Sequence, residues 1–363
     1  MLQFLKSEYV FILSLITAIL FITFPGVLSD SLNNPGISFG LFLVIFMAML
    51  LSSFSAVRHA DELAIKLGEP YGTLILTISV ITIEVVAISS VMLTGDDNPT
   101  LGRDMMFSVI MIALNGLVGI SLLAGAVKHI QQDYNLQGVN TFLSVITPLA
   151  IMGMILPNYT ESTEYGTFST IQTYFLIIVT LSMYFIFLFM QTLRHKNFFM
   201  MDEDDGQEEH TDSHHSTAFH AMMLIAYLIP IVLLSKKLAI IVNHSISSMG
   251  APAALGGLLI AILVLSPEGV AAVKSALNNQ LQRSMNITMG STLATIALTI
   301  PAVLIIGLVT DKKVILGLDG VDTVLLWITI LVNIINFSSG KSNMIQGMIH
   351  LVLFVLYLLL IFD

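Results

Sequence analysis

The chain has no cysteine in 363 residues and a single tryptophan. Disulfides and thiolate metal centres are therefore excluded outright. Charge is scarce as well: only 10% of residues are Asp, Glu, Lys or Arg, against about 25% in ordinary soluble domains. With 14 basic residues against 24 acidic ones, the chain lacks the basic face that nucleic-acid binding needs. What fills the space is apolar, 56% of the sequence. That combination makes it a polytopic membrane protein, with lipid as its first partner. The first apolar stretch, 9–28, has no small-residue cleavage site and reads as a retained span.

A spanning helix needs about 20 mostly apolar residues. About 11 stretches qualify: 9–28, 38–57, 71–93, 105–127, 139–157, 169–193, 218–235, 252–275, 285–309, 321–337 and 344–362. The segment from Arg58 to Pro70 is too charged to span and reads as a short amphipathic helix at the membrane surface, with Leu238–Met249 as a second such piece. With the N-terminus inside, nine Lys and Arg lie on the inner side and five on the outer, which favours a cytoplasmic N-terminus.

The chain also repeats itself. Gly72-Thr-Leu-Ile-Leu-Thr-Ile-Ser-Val-Ile-Thr-Ile-Glu84 aligns without a gap to Gly256-Gly-Leu-Leu-Ile-Ala-Ile-Leu-Val-Leu-Ser-Pro-Glu268. The offset is 184 residues at the acids and 180 at Arg103 and Arg283, after which Met105 pairs with Met285 and Asn115 with Thr295. A repeat of five spans, an odd number, must insert its second copy upside down. The expected architecture is all-α: one extra N-terminal helix (1–37), a first half (38–193), an acidic and His-rich cytoplasmic linker (194–217) and an inverted second half (218–363).

Glu84 and Glu268 stand inside apolar runs, where a charged side chain costs roughly 2.5–3.5 kcal/mol on insertion scales and marks an ion path. A lone buried acid is commonly a structural hydrogen-bonding group, but a merely structural acid has no reason to recur in both halves. Two facing carboxylates in a low-dielectric site cannot both stay bare. Protons or a cation must neutralise them, so exchange of cation for proton follows from the electrostatics. Two acids balance one Ca²⁺, or one Na⁺ with a proton.

Further oxygen donors are Asn115 and Ser108 on the fourth span, Ser291 and Thr295 on the ninth, and Thr77 and Ser266 near the acids. Such hydroxyls often bond their own backbone instead. Pro267 is expected to break its helix beside Glu268 and to free carbonyl oxygens near Val264 as hard ligands. In the linker, Asp202, Glu203, Asp204, Asp205, Glu208, Glu209 and His210 read either as a solvated connection or as a cytoplasmic cation sensor. His59 and His129, at helix ends, are interfacial residues or pH sensors.

Arg58-His-Ala-Asp61, Gly68-Glu-Pro-Tyr-Gly-Thr73, Ser266-Pro-Glu-Gly269, Leu277-Asn-Asn-Gln280 and Gly290-Ser-Thr-Leu-Ala-Thr295, in this order, resemble the bacterial ChaA-type antiporters. These form part of the cation/proton exchanger branch of the calcium:cation antiporter superfamily. The resemblance implies an inverted repeat, an acidic loop between halves, and exchange of Ca²⁺, Na⁺ or K⁺ for protons across the bacterial inner membrane. It implies no resident cofactor, no catalytic residues, and leaves homo-oligomerisation open. The superfamily's broader pattern sets an Asn three residues before each acid and a Gln in the ninth span; here those positions hold Ile81, Leu265 and Ala294 or Thr295. Alternatives are a mainly monovalent Na⁺/H⁺ or K⁺/H⁺ antiporter, a cation channel, for which no filter-like loop is visible, and an intramembrane enzyme. The last lacks a nucleophile–base pair or a His-Glu-x-x-His motif.

Overall fold

A computed structural model describes residues 7–24, 26–28, 32, 34–67, 78–79, 81–86, 88–89, 92, 99–200, 215–250, 252 and 254–362. Apart from one isolated bridge, Asp133 with Lys341, the described residues form helices and connections. We number the helices α1 (Tyr9–Thr23), α2 (Pro35–Leu67), α3 (Leu101–His129), α4 (Leu136–Tyr159), α5 (Thr170–Arg194), α6 (Thr217–Met249), α7 (Ala254–Leu277), α8 (Leu281–Thr310), α9 (Gly320–Asn336) and α10 (Met344–Leu360). Glu84 lies in a further helical piece, 81–86, between α2 and α3. Among the described residues seven helices, α2 to α8, are long and apolar enough to cross a membrane, and α1, α9 and α10 are shorter apolar helices.

Helices begin where side chains satisfy the backbone N–H groups that have no intrahelical acceptor. Asn135 caps α4, Ser216 caps α6 and Asp319 caps α9. Ser169 with Gln172, and Asn343 with Gln346, close reciprocal capping boxes on α5 and α10. α6 ends on Gly250, whose φ of 65° is left-handed and suits a residue without Cβ.

Two expected boundaries are corrected. The charged stretch from Arg58 is not a separate surface helix: α2 runs unbroken for 33 residues to Leu67. Leu238–Met249 likewise continues α6, also 33 residues long. No Gly or Pro occurs between Leu41 and Leu67, and Ala60-Asp-Glu-Leu-Ala-Ile-Lys-Leu67 is rich in helix formers, so lower hydropathy does not end the helix. At 1.5 Å per residue each rod is about 50 Å long, well beyond the roughly 30 Å hydrocarbon core.

The described residues cluster into two compact units. One comprises residues 1–101 with 212–267, the other 102–211 with 268–363. Each therefore draws on both halves of the sequence. In the first unit α1, α2 and α6 pack together. Buried Ser52 Oγ donates to Ser14 Oγ (2.8 Å), and Ser14 Oγ to the Ala48 carbonyl (3.1 Å). In the second, α10 packs on α3, α8 on α4 and α3, and α5 on α8.

Membrane helices approach closely through small residues, and α3 and α10 do so at Gly119 and Gly347. A Cβ on Gly347 would lie 2.7 Å from the Leu123 backbone nitrogen, which cannot swing aside, whereas one on Gly40 in α2 would meet nothing within 4 Å. Gly347→Ala is expected to cost about 1–3 kcal/mol by overpacking and to lower the melting temperature. Gly40→Ala should be neutral or stabilising by up to about 1 kcal/mol. Thermal unfolding in one detergent compares the two; equal melting temperatures would contradict the close approach.

Candidate ion-binding site

Each unit carries one of the repeated acids. In the first, Glu84 is only 2% exposed, among Ile81, Ile83 and Ile88, all buried. Thr77, expected on the same face, lies outside the described residues. In the second, Glu268 is partly buried, and the Ser291 hydroxyl on α8 donates a hydrogen bond to its Oε2. A hydroxyl donor stabilises the ionised carboxylate, and once a cation binds, the same oxygen has a lone pair to offer it. This contact joins two of the predicted residues.

Pro267 is buried but does not break its helix: α7 continues through it from Ala254 to Leu277. The expectation of a break is corrected. One missing N–H removes a single bond, to the Leu263 carbonyl four residues back, and the bonds on either side keep the helix. Ser266 follows the local alternative, its hydroxyl donating to the Ile262 carbonyl.

Backbone irregularity occurs on the helices after the acids in both repeats, as it also does at Ile151–Ile155 of α4 and Met190–Arg194 of α5. Residues 112–117 of α3 and 295–299 of α8 are π-helical. With the 180-residue offset the two segments overlap, and each contains one of the paired positions Asn115 and Thr295. A π-turn widens the hydrogen-bond ladder and so leaves a carbonyl without its usual partner, a feature frequent at functional sites. Gly269, next to Glu268, lets α7 meet this irregular part of α3: a Cβ there would stand 2.7 Å from Leu117 Cδ2.

Asn115 is fully buried, and its amide is held by residues that sequence reasoning missed. Its Nδ2 donates to Thr329 Oγ1 (2.8 Å) and approaches Met111 Sδ (3.6 Å), while Oδ1 faces His350 Nδ1 at 3.2 Å. His350 is a lone imidazole in the apolar run of α10, and that isolation is the signal that could have marked it. Buried Ser108 bonds the Asp104 carbonyl and the Tyr357 hydroxyl, each at 2.7 Å. Thr295 is buried in the second π-segment. The acidic residues Asp202, Glu203, Asp204, Asp205, Glu208, Glu209 and His210 lie outside the described residues. Among the described residues no three His, Cys, Asp or Glu cluster as a metal cage.

The sodium/calcium exchanger protein family matches residues 37–193 and 219–362. The chain belongs to that family. It is a membrane cation antiporter and not an enzyme. The chain is 42% identical over 325 residues, 88% of each sequence, to the sodium-potassium/proton antiporter ChaA of Escherichia coli (strain K12). Among solved structures it resembles the Ca²⁺/H⁺ antiporter YfkE with a TM-score of 0.72 and 18% identity, covering 98% of this chain and 99% of that one. It also resembles the H⁺/Ca²⁺ exchanger CAX, at 0.68 and 15%, covering 94% and 87%. At those identities the likeness shows the fold.

Ser291→Ala removes an oxygen that a bound cation would use, a loss of about 1.5–3 kcal/mol for an interaction with a charged group. We expect the half-saturating cation concentration to rise about tenfold or more, with the protein still folded. An unchanged value in a vesicle flux assay would remove Ser291 from the site.

Proposed function

We propose that this chain exchanges cytoplasmic Ca²⁺, Na⁺ or both for protons across the bacterial inner membrane, with its N-terminus in the cytoplasm. Glu84 and Glu268 carry cation and protons in turn. The observation that carries the reading is the repeated pair of acids at membrane depth, one buried and the other hydrogen-bonded by Ser291. A carboxylate there is costly when bare. Protonation neutralises it, and so does a cation; movement between inward- and outward-open states is cheapest when one of the two is present. Competition for the same oxygens couples the two fluxes. Ser291, Thr295, Asn115, Ser108, Ser266 and Thr77 are the candidate supplementary oxygens. The acids of 202–210 are candidates for sensing cations at the cytoplasmic mouth. Lipid and the transported ions are the partners; no resident cofactor is required.

One observation favours a mainly monovalent exchange of Na⁺ or K⁺ for protons. The relative sharing 42% of its sequence is named for sodium and potassium, while the Ca²⁺/H⁺ antiporters of similar fold share 15–18%. The chemistry agrees: Ile81 and Leu265, both buried, offer no side-chain oxygen where the superfamily pattern has Asn. Ca²⁺ takes six to eight oxygens, so each one lost weakens the divalent ion more.

Purified protein in liposomes, given Ca²⁺, Na⁺ and K⁺ separately against a fixed pH gradient, ranks the ions. Glu84→Gln and Glu268→Gln should each abolish cation-driven proton movement while the protein elutes as a folded species. Normal exchange in either variant would refute the assignment of the acids.

A further inference from the structure

A second set of titratable groups lies in the first unit, apart from the repeated acids. Glu8, just ahead of α1, is 2% exposed; His59 on α2 is 2%, and His220 and Tyr227 on α6 are 4% and 0%. Glu8 Oε2 accepts from the Tyr227 hydroxyl (2.8 Å) and from His59 Nε2 (3.2 Å). Arg58 Nη2 donates to both carboxylate oxygens at 3.1 Å. The other nitrogen of His59, Nδ1, stands 3.0 Å from Nδ1 of His220. Three helices that are remote in sequence thus meet on one buried chain: carboxylate, imidazole, imidazole.

The geometry restricts the protons. Glu8 stays ionised: burial pushes its carboxyl up, but the His59 and Tyr227 hydrogen bonds and the Arg58 charge outweigh that and hold it below the usual range. Ionised Glu8 accepts only, so His59 Nε2 carries a hydrogen. Between the two Nδ1 atoms there is room for one proton. With both rings neutral, His220 donates and His59 accepts. With one added proton the same hydrogen bond survives, whichever ring is charged. With two, a pair of N–H groups would face each other at 3.0 Å with like charge, and the bond must break.

We propose that Glu8, His59 and His220 form a proton-binding site outside the ion path, in which entry of a second proton parts the two rings and uncouples α2 from α6 at this end. The surrounding charges are mixed. Besides Glu8, α2 contributes Arg58, Glu62 and Lys66, and the start of α6 contributes His215, whose ring centre is 6.2 Å from that of His220. Lys66 Nζ donates to the His215 carbonyl, and its positive charge opposes protonation of the rings. Glu62 is the remaining acid that acts on His220. Lone imidazoles change charge within about pH 5–8; the second proton enters this pair against the charge of the first, so the switch lies at the acid end of that range or below it. α2 and α6 open the two repeated halves, so parting them reaches both.

Interacting groups titrate in macroscopic steps that belong to the pair. In ¹⁵N-histidine NMR of the full chain in detergent, two ring signals are expected to titrate together in two steps more than about one pH unit apart. His220→Gln, which still donates and accepts but does not titrate, should collapse them to one. A single common step in the native chain would overturn the proposal without involving transport. In liposomes, native exchange should fall as the face bearing the N-terminus is acidified, and that acid limb should be absent from both His220→Gln and His59→Gln. Identical pH profiles for all three proteins would equally overturn it. Because the NMR titration is independent of any flux, failure of the exchange reading and failure of this site are distinguishable.

Discussion

A carboxylate at membrane depth does not tolerate standing charged and alone. The rest of the molecule is organised around that constraint. The apolar composition creates the low-dielectric setting, the repeat supplies the acid twice, and the second copy receives a hydroxyl from α8. Removing water makes the naked anion costly and makes each neutralised form comparatively cheap. Under the proposed function, coupling of two ion flows needs no separate machinery, since competition for a few oxygens would perform it.

The two halves solve the same problem with different chemistry. Glu268 has Pro267 before it and Ser291 against it, whereas the residue before Glu84 is Ile83, which is buried. Where the halves agree more closely is in the backbone of the following helices, whose π-segments overlap under the repeat offset. Side chains diverged while the irregular turn persisted. That pattern is what one expects if the turn, with its released carbonyl, matters to ion handling as much as any single side chain.

Much of this was legible beforehand because it is local or periodic. Long apolar runs announce spans, the aligned acids suggest the shared role taken up in the proposed function, and Ser291 sits on the span that follows the second acid. What escaped was long-range or continuous. Hydropathy registers composition and not backbone continuity, so the charged end of α2 and the more polar end of α6 looked like separate pieces. Asn115 was visible as an amide in lipid, but its partners Thr329 and His350 lie more than 200 residues away. Nothing in the sequence singles out Glu8; only folding brings it to His59 and Tyr227. The break at Pro267 failed for a different reason: one lost hydrogen bond is too little to end a helix whose remaining ladder is intact.

The unbroken course of α2 has a mechanical consequence. A rod of 33 residues with no glycine or proline after Gly40 has no natural hinge. Displacement at the level of His59 cannot be absorbed by local bending. It is carried along the rod toward Ala48 and Ser52, where Ser14 grips the same helix. The helix behaves as a stiff lever joining the water-facing end to the membrane interior.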